Sequence, residues 1–264
     1  MRVALVITTY ERPDALAAVL QSVGRQRAAP DEIVIADDGS GPATRELVQS
    51  CSERSAVPIR FVSQPHSGFR VARLRNLAIA ATSIEYLILI DGDMVLHPEF
   101  VADHLRIARR GFFTQGVRVH TDEALTRALI ADPARSARFW SRGAGGLRRA
   151  YLMRSVALSG VTRSIANAFI AIKSCNQAFW REDLVRVNGF NEAIEGWGPE
   201  DKELVVRIQN AGVHRQSLLF GGIACHLHHP PASRAALAAN IAVLEETVRQ
   251  RRVRCERGLD AHFR

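Results

Sequence analysis

Leu87-Ile88-Leu89-Ile90-Asp91-Gly92-Asp93 is the stretch on which the reading of this chain turns. Four aliphatic residues in a row suit a strand buried on both faces, and such strands belong to parallel sheets flanked by helices. An Asp-x-Asp closes the run. Alternate residues on extended backbone point the same way, so Asp91 and Asp93 are expected to face one ligand at the sheet's edge. Hard oxygen donors in that position suit Mg2+ or Mn2+ bridging a diphosphate. The competing reading is a solvated turn after a strand.

Outward from this run, strand and helix patterns alternate. Val3–Thr8, Glu32–Ala36, Ile59–Val62 and Tyr86–Ile90 read as strands. Between them, Leu16, Val19, Leu20 and Val23 recur at helical spacing, Thr44–Cys51 reads as helix, and Arg70–Ala81 places Val71, Leu74, Leu77 and Ala78 on one face. The fold class is therefore α/β, with a mostly parallel central sheet and helices on both faces. Polar residues follow the strands, at the carboxyl edge where open α/β sheets bind ligands. The second half is less regular: Pro98–Arg109 reads as helix, Phe112–Val119 as strand, Ala168–Phe179 as strands around a turn, Pro199–Ala211 as helix stopped by Gly212, and Ser233–Glu256 as a long final helix. Gly143-Ala144-Gly145-Gly146 is expected to be a mobile break. The segment Thr126–Ser164 fits no pattern.

Composition sets bounds. The 264 residues, 47% hydrophobic and 23% charged, are enough for a substantial core. No apolar run reaches the roughly 20 residues of a membrane span. Val3–Thr9 is too short for a signal peptide's apolar region. A cytoplasmic protein is expected. Cys51, Cys175, Cys225 and Cys255 are scattered without Cys-x-x-Cys spacing and read as reduced thiols. The net charge is +8, and of 35 basic residues only Lys173 and Lys202 are lysines, leaving 33 arginines. That charge favours an anionic partner without choosing among nucleotide phosphates, acidic glycans, lipid headgroups and nucleic acid. Nucleic acid is disfavoured, because only 6% of residues are aromatic and stacking platforms need aromatics.

Four further groups carry candidate chemistry. Asp37-Asp38-Gly39-Ser40 ends the second strand; its carboxylates suit a base or ribose, or simply a turn. Arg70, Arg73, Arg75 and Asn76 lie on the helix before the Asp91 strand, as diphosphate partners or a solvated face. In Gly196-Trp197-Gly198-Pro199-Glu200-Asp201, Pro199 is expected at the first helical position. Asp201 then shares a face with Leu204, Val205 and Ile208 and points inward, a seat for a general base, while Glu200 leans towards Glu203 and Arg207 on a wetter side. His226-Leu227-His228-His229 offers a metal-ligand spacing or structural histidines.

Taken together these segments resemble the family 2 glycosyltransferases, inverting enzymes of the GT-A fold with a Rossmann-like sheet and a smaller acceptor-side sheet. Val6–Pro13 is similar to their opening strand and nucleotide loop, Glu32–Ser40 to the strand whose acidic pair holds a nucleoside, and Gly68–Asn76 to the donor-contacting helix. Asn176–Glu192 and the Trp-Gly-x-Glu-Asp of Gly196–Leu204 resemble the acceptor segment of galactosyltransferase-like and chondroitin-polymerase-like enzymes. The resemblance covers roughly residues 1–230. It implies one domain, with a nucleotide-sugar half at 1–97, an acceptor and catalytic half at 98–230, and a basic helix at 231–264.

The resemblance further implies roles. Thr8, Tyr10, Arg12, Asp37, Asp38, Arg70, Arg75, Asn76, Asp91 and Gly92 would hold the donor, foremost a UDP-sugar. Asp93 would bind Mn2+ or Mg2+ directly, joined by His226, with His229 as second choice and His228 leaving the register open. Asp201 would be the catalytic base and Glu200 a sugar contact. Trp197 would floor the acceptor site beside Gly196 and Asn176. The implied reaction is hexosyl or N-acetylhexosaminyl transfer by single displacement to a glycan or lipid-linked acceptor, with a closing loop hinged at Gly143–Gly146 or Gly196–Gly198. Two other classes stand beside it: a sugar-nucleotidyltransferase, for which Thr8–Pro13 lacks the glycine-rich loop, and a non-enzymatic binder of acidic polymer. Arg249, Arg251, Arg252, Arg254 and Arg257, with the Trp140 region, form a candidate peripheral contact with anionic membrane, against a solvated basic helix.

Overall fold

The computed structural model describes residues 1–132, 135–155, 172–230 and 233–263. The aliphatic run opens the sheet's centre as expected. Strand β4 (Tyr86–Asp91) lies between β1 (Val3–Thr9) and β8 (Asn176–Trp180), with β2 (Glu32–Asp37) and β3 (Ile59–Ser63) beyond β1. Strands β6 (Phe112–Gln115) and β9 (His214–Ser217) complete seven strands in the order β3-β2-β1-β4-β8-β6-β9. All pairs are parallel except the two made by β8, which runs against both β4 and β6. Every residue of β1 and β2 is buried, because helices cover both faces.

One apolar layer joins β1 and β4 to helix α3 (Val71–Ala81) and to α7 (Glu200–Asn210), through Leu74, Ile79, Leu89, Leu204 and Ile208. The opposite layer packs Leu5, Ile7, Ile88 and Ile90 against α1 (Pro13–Gly24) and α4 (Phe100–Ile107). The remaining helices are α2 (Pro42–Arg54), α5 (Glu123–Ala131), α6 (Arg181–Arg186) and α8 (Leu237–Arg249). None of the helices among the described residues is long and apolar enough to cross a membrane.

Register puts the carboxyl ends of the strands in one row: Thr8 lies opposite Asp91, and Thr9 opposite Asp37. A second sheet, β5 (Met94–Leu96), β10 (Ala224–His226) and β7 (Arg118–His120), begins where the first stops. Here β10 pairs antiparallel with β5, setting His226 opposite Met94, and the Leu227 amide donates to the Asp93 carbonyl at 2.9 Å. The turn between β4 and β5 needs Gly92, whose added Cβ would stand 3.0 Å from the Thr8 carbonyl oxygen and Thr9 Cβ.

Several expectations are corrected. The run Phe112–Val119 is two strands in different sheets, broken after Gln115. Only β8 of the Ala168–Phe179 reading is described, and residues 168–171 lie outside the described set, as do 156–164 of Thr126–Ser164. The expected mobile break is pinned: Thr121 bridges Ala144, the Asp122 amide donates to the Gly143 carbonyl at 2.9 Å, and the Gly145 amide to the His120 carbonyl at 2.7 Å. Pro199 caps α7 rather than opening it. The final helix ends at Arg249, and Arg251 takes a left-handed φ of 49° that turns the chain back. Cys255 and Leu259 then bury against the segment Val187–Phe190, so the C-terminal arginines do not share one helical face.

The wetter side expected of Glu200, Glu203 and Arg207 is dry: Glu203 and Arg207 are fully buried, and Glu200 is buried where Asp201 is only half-buried. Arg207 binds Glu203 at 2.7 Å and donates to the carbonyls of Val187 and Gly189, while Asn191 and Thr247 donate to Glu203. This network ties α7 to the preceding loop and to α8. Removing one charge would strand the other in low dielectric. We predict that Arg207→Ala costs about 3–5 kcal/mol, since an unpaired buried carboxylate remains. The melting temperature should drop by about 10 °C for a chain of this size. A drop of only a degree or two would show the pair to be dispensable.

Candidate active site

The carboxyl edge of the large sheet, the start of the small one and the first turn of α7 enclose a cavity of about 1030 Å³. Thr8, Tyr10, Arg12, Asp38, Arg75, Asp91, Gly92, Asp93, Trp197, Glu200, Asp201, His226 and His229 all line it. These are most of the residues singled out from sequence, from segments more than a hundred positions apart.

Asp93 stands where the two sheets meet. His229 Nε2 is 3.3 Å from its Oδ2, His226 Nε2 is 3.7 Å from Oδ1, and Arg12 Nη1 is 3.6 Å from Oδ2. Ligand atoms from Asp93, His226 and His229 all lie within 4.8 Å of one another. Asp93 Oδ1 is buried yet has no hydrogen-bond partner among the described residues, as is Arg12 Nη1. Such an orphaned oxygen is costly unless something else is meant to bind it. Burial, then the neighbouring Asp91 carboxylate, pushes Asp93 up to about 6. Burial and Arg118 push His226 down to about 3, leaving the neutral imidazole a metal requires. One carboxylate and two imidazoles fit a divalent ion such as Mn2+. Both histidines therefore converge on Asp93; His228 lines the cavity outside this trio.

A second carboxylate group faces the same space. Arg75 donates to Asp91 Oδ1 at 3.1 Å and to Glu200 Oε1 at 3.0 Å, and its guanidinium lies over the Phe190 ring. Asp91 also accepts from Thr8 Oγ1. Asp201 accepts from the backbone amides of Ser174 at 3.1 Å and Lys202 at 2.8 Å. Burial raises Asp201, opposed by Arg75, Lys173 and those two amides. Burial and the adjacent Asp201 charge push Glu200 up to about 7 against the pull of Arg75. Two neighbouring buried carboxyls of this kind can exchange protons with a hydroxyl near neutrality.

At the far side Tyr10 stacks on His66, centroids 4.3 Å apart, and His66 Nδ1 lies 3.0 Å from Asp38 Oδ2. Gln64 donates to the other Asp38 oxygen and accepts from Arg73. An aromatic face beside a fixed carboxylate suits a flat, hydrogen-bonding base. His66 carried no signal beyond its place after β3.

Five predicted residues are not in the cavity. Asp37 accepts from Gly39, Ser40 and its hydroxyl, closing the turn after β2. Arg70 donates to the Pro65 carbonyl. Asn76 is fully buried, exchanging hydrogen bonds with the Phe190 backbone and Glu192 at 2.8 Å each. Asn176 donates to Val117 and Gly222 carbonyls and pairs with His104. Gly196 donates its amide to Phe69. Asp37, Asn76, Asn176 and Gly196 spend these polar atoms on the scaffold, whereas Arg70 Nε is buried without a hydrogen-bond partner among the described residues. Unpredicted lining residues include Arg118, His120, Lys173, Ser174 and three aliphatics of α8, Leu237, Ile241 and Leu244.

The family described as "Glycosyl transferase family 2" matches residues 4–168, and "N-terminal domain of galactosyltransferase" matches 164–230. Chondroitin synthase of Escherichia coli is 26% identical over 241 residues, covering 86% of this chain and 35% of that one. Validoxylamine A glucosyltransferase of Streptomyces hygroscopicus subsp. limoneus is 29% identical over 223 residues, covering 80% and 48%. The chain spans about a quarter to a half of the length of the curated relatives it matches. Among solved structures, a Pyrobaculum calidifontis mannosyltransferase in complex with GDP-Man and Mn2+ superposes with TM-score 0.60 at 18% identity, over 86% of this chain and 56% of that one. Staphylococcus aureus TarS in complex with UDP-GlcNAc gives 0.65 at 12%, over 99% and 69%. At these identities the likeness is one of fold.

Manganese binding followed by electron paramagnetic resonance checks the trio. We predict that Asp93→Ala abolishes tight binding and that His226→Ala and His229→Ala each weaken it by about tenfold or more. Wild-type affinity in either histidine variant would remove that residue from the set.

Proposed function

The chain belongs to glycosyl transferase family 2 and has the GT-A fold, and from that premise we propose that it moves a hexosyl or N-acetylhexosaminyl group from a nucleoside diphosphate sugar to a hydroxyl of a glycan or glycoconjugate, with inversion. The observation that carries this reading is that Asp93 with its two histidines and the Asp201–Glu200 pair line one cavity. A UDP-sugar is the foremost donor, since Tyr10, His66 and Asp38 offer a stacking face and an acceptor carboxylate to a pyrimidine base.

In this reading the nucleoside lies against Tyr10 and Asp38, and the diphosphate reaches towards Arg12 and the Asp93 trio. Asp93, His226 and His229 would hold a divalent cation, which would supply Lewis-acid stabilisation to the departing diphosphate. Arg12, with an unsatisfied Nη1 beside Asp93, adds a fixed positive charge for the same oxygens. Asp201 accepts the proton of the acceptor hydroxyl as that oxygen attacks the anomeric carbon from the face opposite the nucleotide. The amides of Ser174 and Lys202 hold the carboxylate in place. Glu200 stays fixed by Arg75 and contacts a sugar hydroxyl. Trp197 supports the acceptor ring.

Two outcomes are predicted. Asp201→Asn should lower kcat by about 10²–10⁴-fold with donor affinity kept, as for loss of a general base. Transfer at the wild-type rate would take Asp201 out of that role. The second concerns pH. A base must be ionised; burial raises Asp201, and Glu200 beside it is pushed up to about 7, so the pair takes up protons as pH falls below neutrality and kcat drops. Glu200→Gln removes the neighbouring negative charge, so Asp201 should ionise at lower pH and the acid limb should shift downward. An acid limb that stays in place would mean the two carboxyls do not share their titration.

A further inference from the structure

Helix α8 begins beyond residue 230, where both family matches have ended. It nevertheless contributes Leu237, Ile241 and Leu244 to the wall of the cavity that holds Asp201. Its attachment is specific. Asn240 is buried and donates to the carbonyls of Glu195 at 2.8 Å and Trp197 at 3.4 Å. An added Cβ on Gly198 would lie 2.5 Å from Asn240 Nδ2, and one on Gly196 would lie 2.6 Å from Ala236 Cβ, so both glycines let the helix approach the Trp197 loop. Thr247 fastens its other end to Glu203. The helix is built into the site, and its aliphatic side chains are part of the lining.

Of these three only Ile241 stands open, Leu237 being half-buried and Leu244 buried. Phe69 is 42% exposed, Ile241 39% and Trp197 37%, and all three line the cavity, with the Arg234 guanidinium lying over the Trp197 ring. An aromatic plane suits a sugar ring, but branched aliphatic side chains offer nothing to hydroxyl groups. Exposed apolar surface in a cavity mouth marks something apolar that covers it. The same space is polar around Ser174, Asp201 and Lys202, where the accepting hydroxyl must sit. Its occupant is therefore amphipathic, with a sugar hydroxyl at one end and an apolar group at the other.

We propose that the acceptor is a glycoside or alcohol bearing an apolar aglycone, alkyl or aryl, which lies on the ledge formed by Leu237, Ile241 and Leu244 with Trp197 and Phe69. The proposal deepens the glycosyl-transfer reading and rests on it. It makes α8 a specificity element: the sheet edge handles the donor, and this helix selects the acceptor by its non-sugar part.

Calorimetric titration of the whole chain with UDP and Mn2+ present tests it, using matched methyl, hexyl and phenyl β-glycosides of glucose and N-acetylglucosamine. Each buried methylene is worth roughly a threefold to fourfold gain, so at least one apolar glycoside should bind tenfold or more tightly than its methyl partner. Stronger binding of hexyl than phenyl identifies a lipid-type chain, and the reverse an aryl aglycone. In Ile241→Asp the preference should fall below about threefold, and in Ile241→Met it should persist, which separates ledge chemistry from misfolding. Equal affinity for methyl, hexyl and phenyl glycosides in the wild-type chain, or an undiminished preference in Ile241→Asp, would overturn the proposal. Manganese-dependent hydrolysis of sugar nucleotides, measured in parallel, reports on the glycosyl-transfer reading by itself. Hydrolysis without an aglycone preference defeats only the ledge; a preference without hydrolysis leaves the ledge and defeats the reaction.

Discussion

Arg75 holds two carboxylates from different parts of the chain, Asp91 Oδ1 at 3.1 Å and Glu200 Oε1 at 3.0 Å, while only 3% exposed itself. A guanidinium taken out of water is tolerable only when its charge and donors are matched. Here the matching partners are the end of β4 and the first turn of α7. Glu200 could not be buried at that edge without the arginine, and the arginine is matched by both carboxylates, Asp91 keeping its side chain 32% exposed. The contact thereby fixes the distance between the strand that leads to Asp93 and the helix turn that carries Asp201. Stacking on Phe190 holds the guanidinium plane, and Asn76, one residue on, secures the Phe190 backbone. Helix α3 is thus a strut between the two halves of the cavity, which is why Arg75 reaches the cavity and Asn76 does not.

The second constraint is the junction of the two sheets. Strand β4 stops at Asp91, Gly92 makes the close turn over Thr8, and β5 starts at once in a new sheet. Pairing of β5 with β10 brings His226 beside Asp93 by register alone. Backbone pairing thus brings the Asp93 carboxylate and the His226 imidazole, two of the three groups proposed to hold a metal, to one place. Among the described residues Asp93 Oδ1 is then left without a donor, and the energetic penalty of that orphan is the structural counterpart of the affinity expected for a cation.

Much of this was legible in the sequence, for identifiable reasons. The β4 run, with Asp91 and Asp93 at its end, announces both its burial and its polar exit, and the spacing of Asp201 with Leu204, Val205 and Ile208 foretells an inward carboxylate. Such patterns report which face of an element is buried, and little about what covers the other face. Glu203 and Arg207 have the spacing of a surface ion pair; they are buried because α8 and the loop Val187–Asn191 close over them. Asp37, Asn76 and Asn176 have the side chains of ligand contacts, yet each satisfies nearby backbone instead, and sequence does not say which way a short polar side chain turns. The length of the last helix was overread because nothing in Arg249–Glu256 is a helix breaker. Burial of Cys255 and Leu259 decided its end, and that is a tertiary effect.

The distribution of these features along the chain carries a further consequence. The residues proposed to hold a donor and to act as base lie within the segments that match the two family descriptions. The rim on which an acceptor must rest is shared between the Trp197 loop inside those segments and α8 outside them. Because Asn240 bonds to the loop's own carbonyls, the orientation of Trp197 depends on a helix that the family pattern does not include. A change of residues on the exposed side of α8 can thus alter the acceptor surface without disturbing Arg75, Asp93 or Asp201. In the proposed reading donor chemistry sits at the sheet edge, where burial and charge pairing leave little freedom, whereas acceptor choice falls to a docked helix that carries none of those charges. That separation gives a physical reason why one reaction centre can be kept while the molecule it modifies changes.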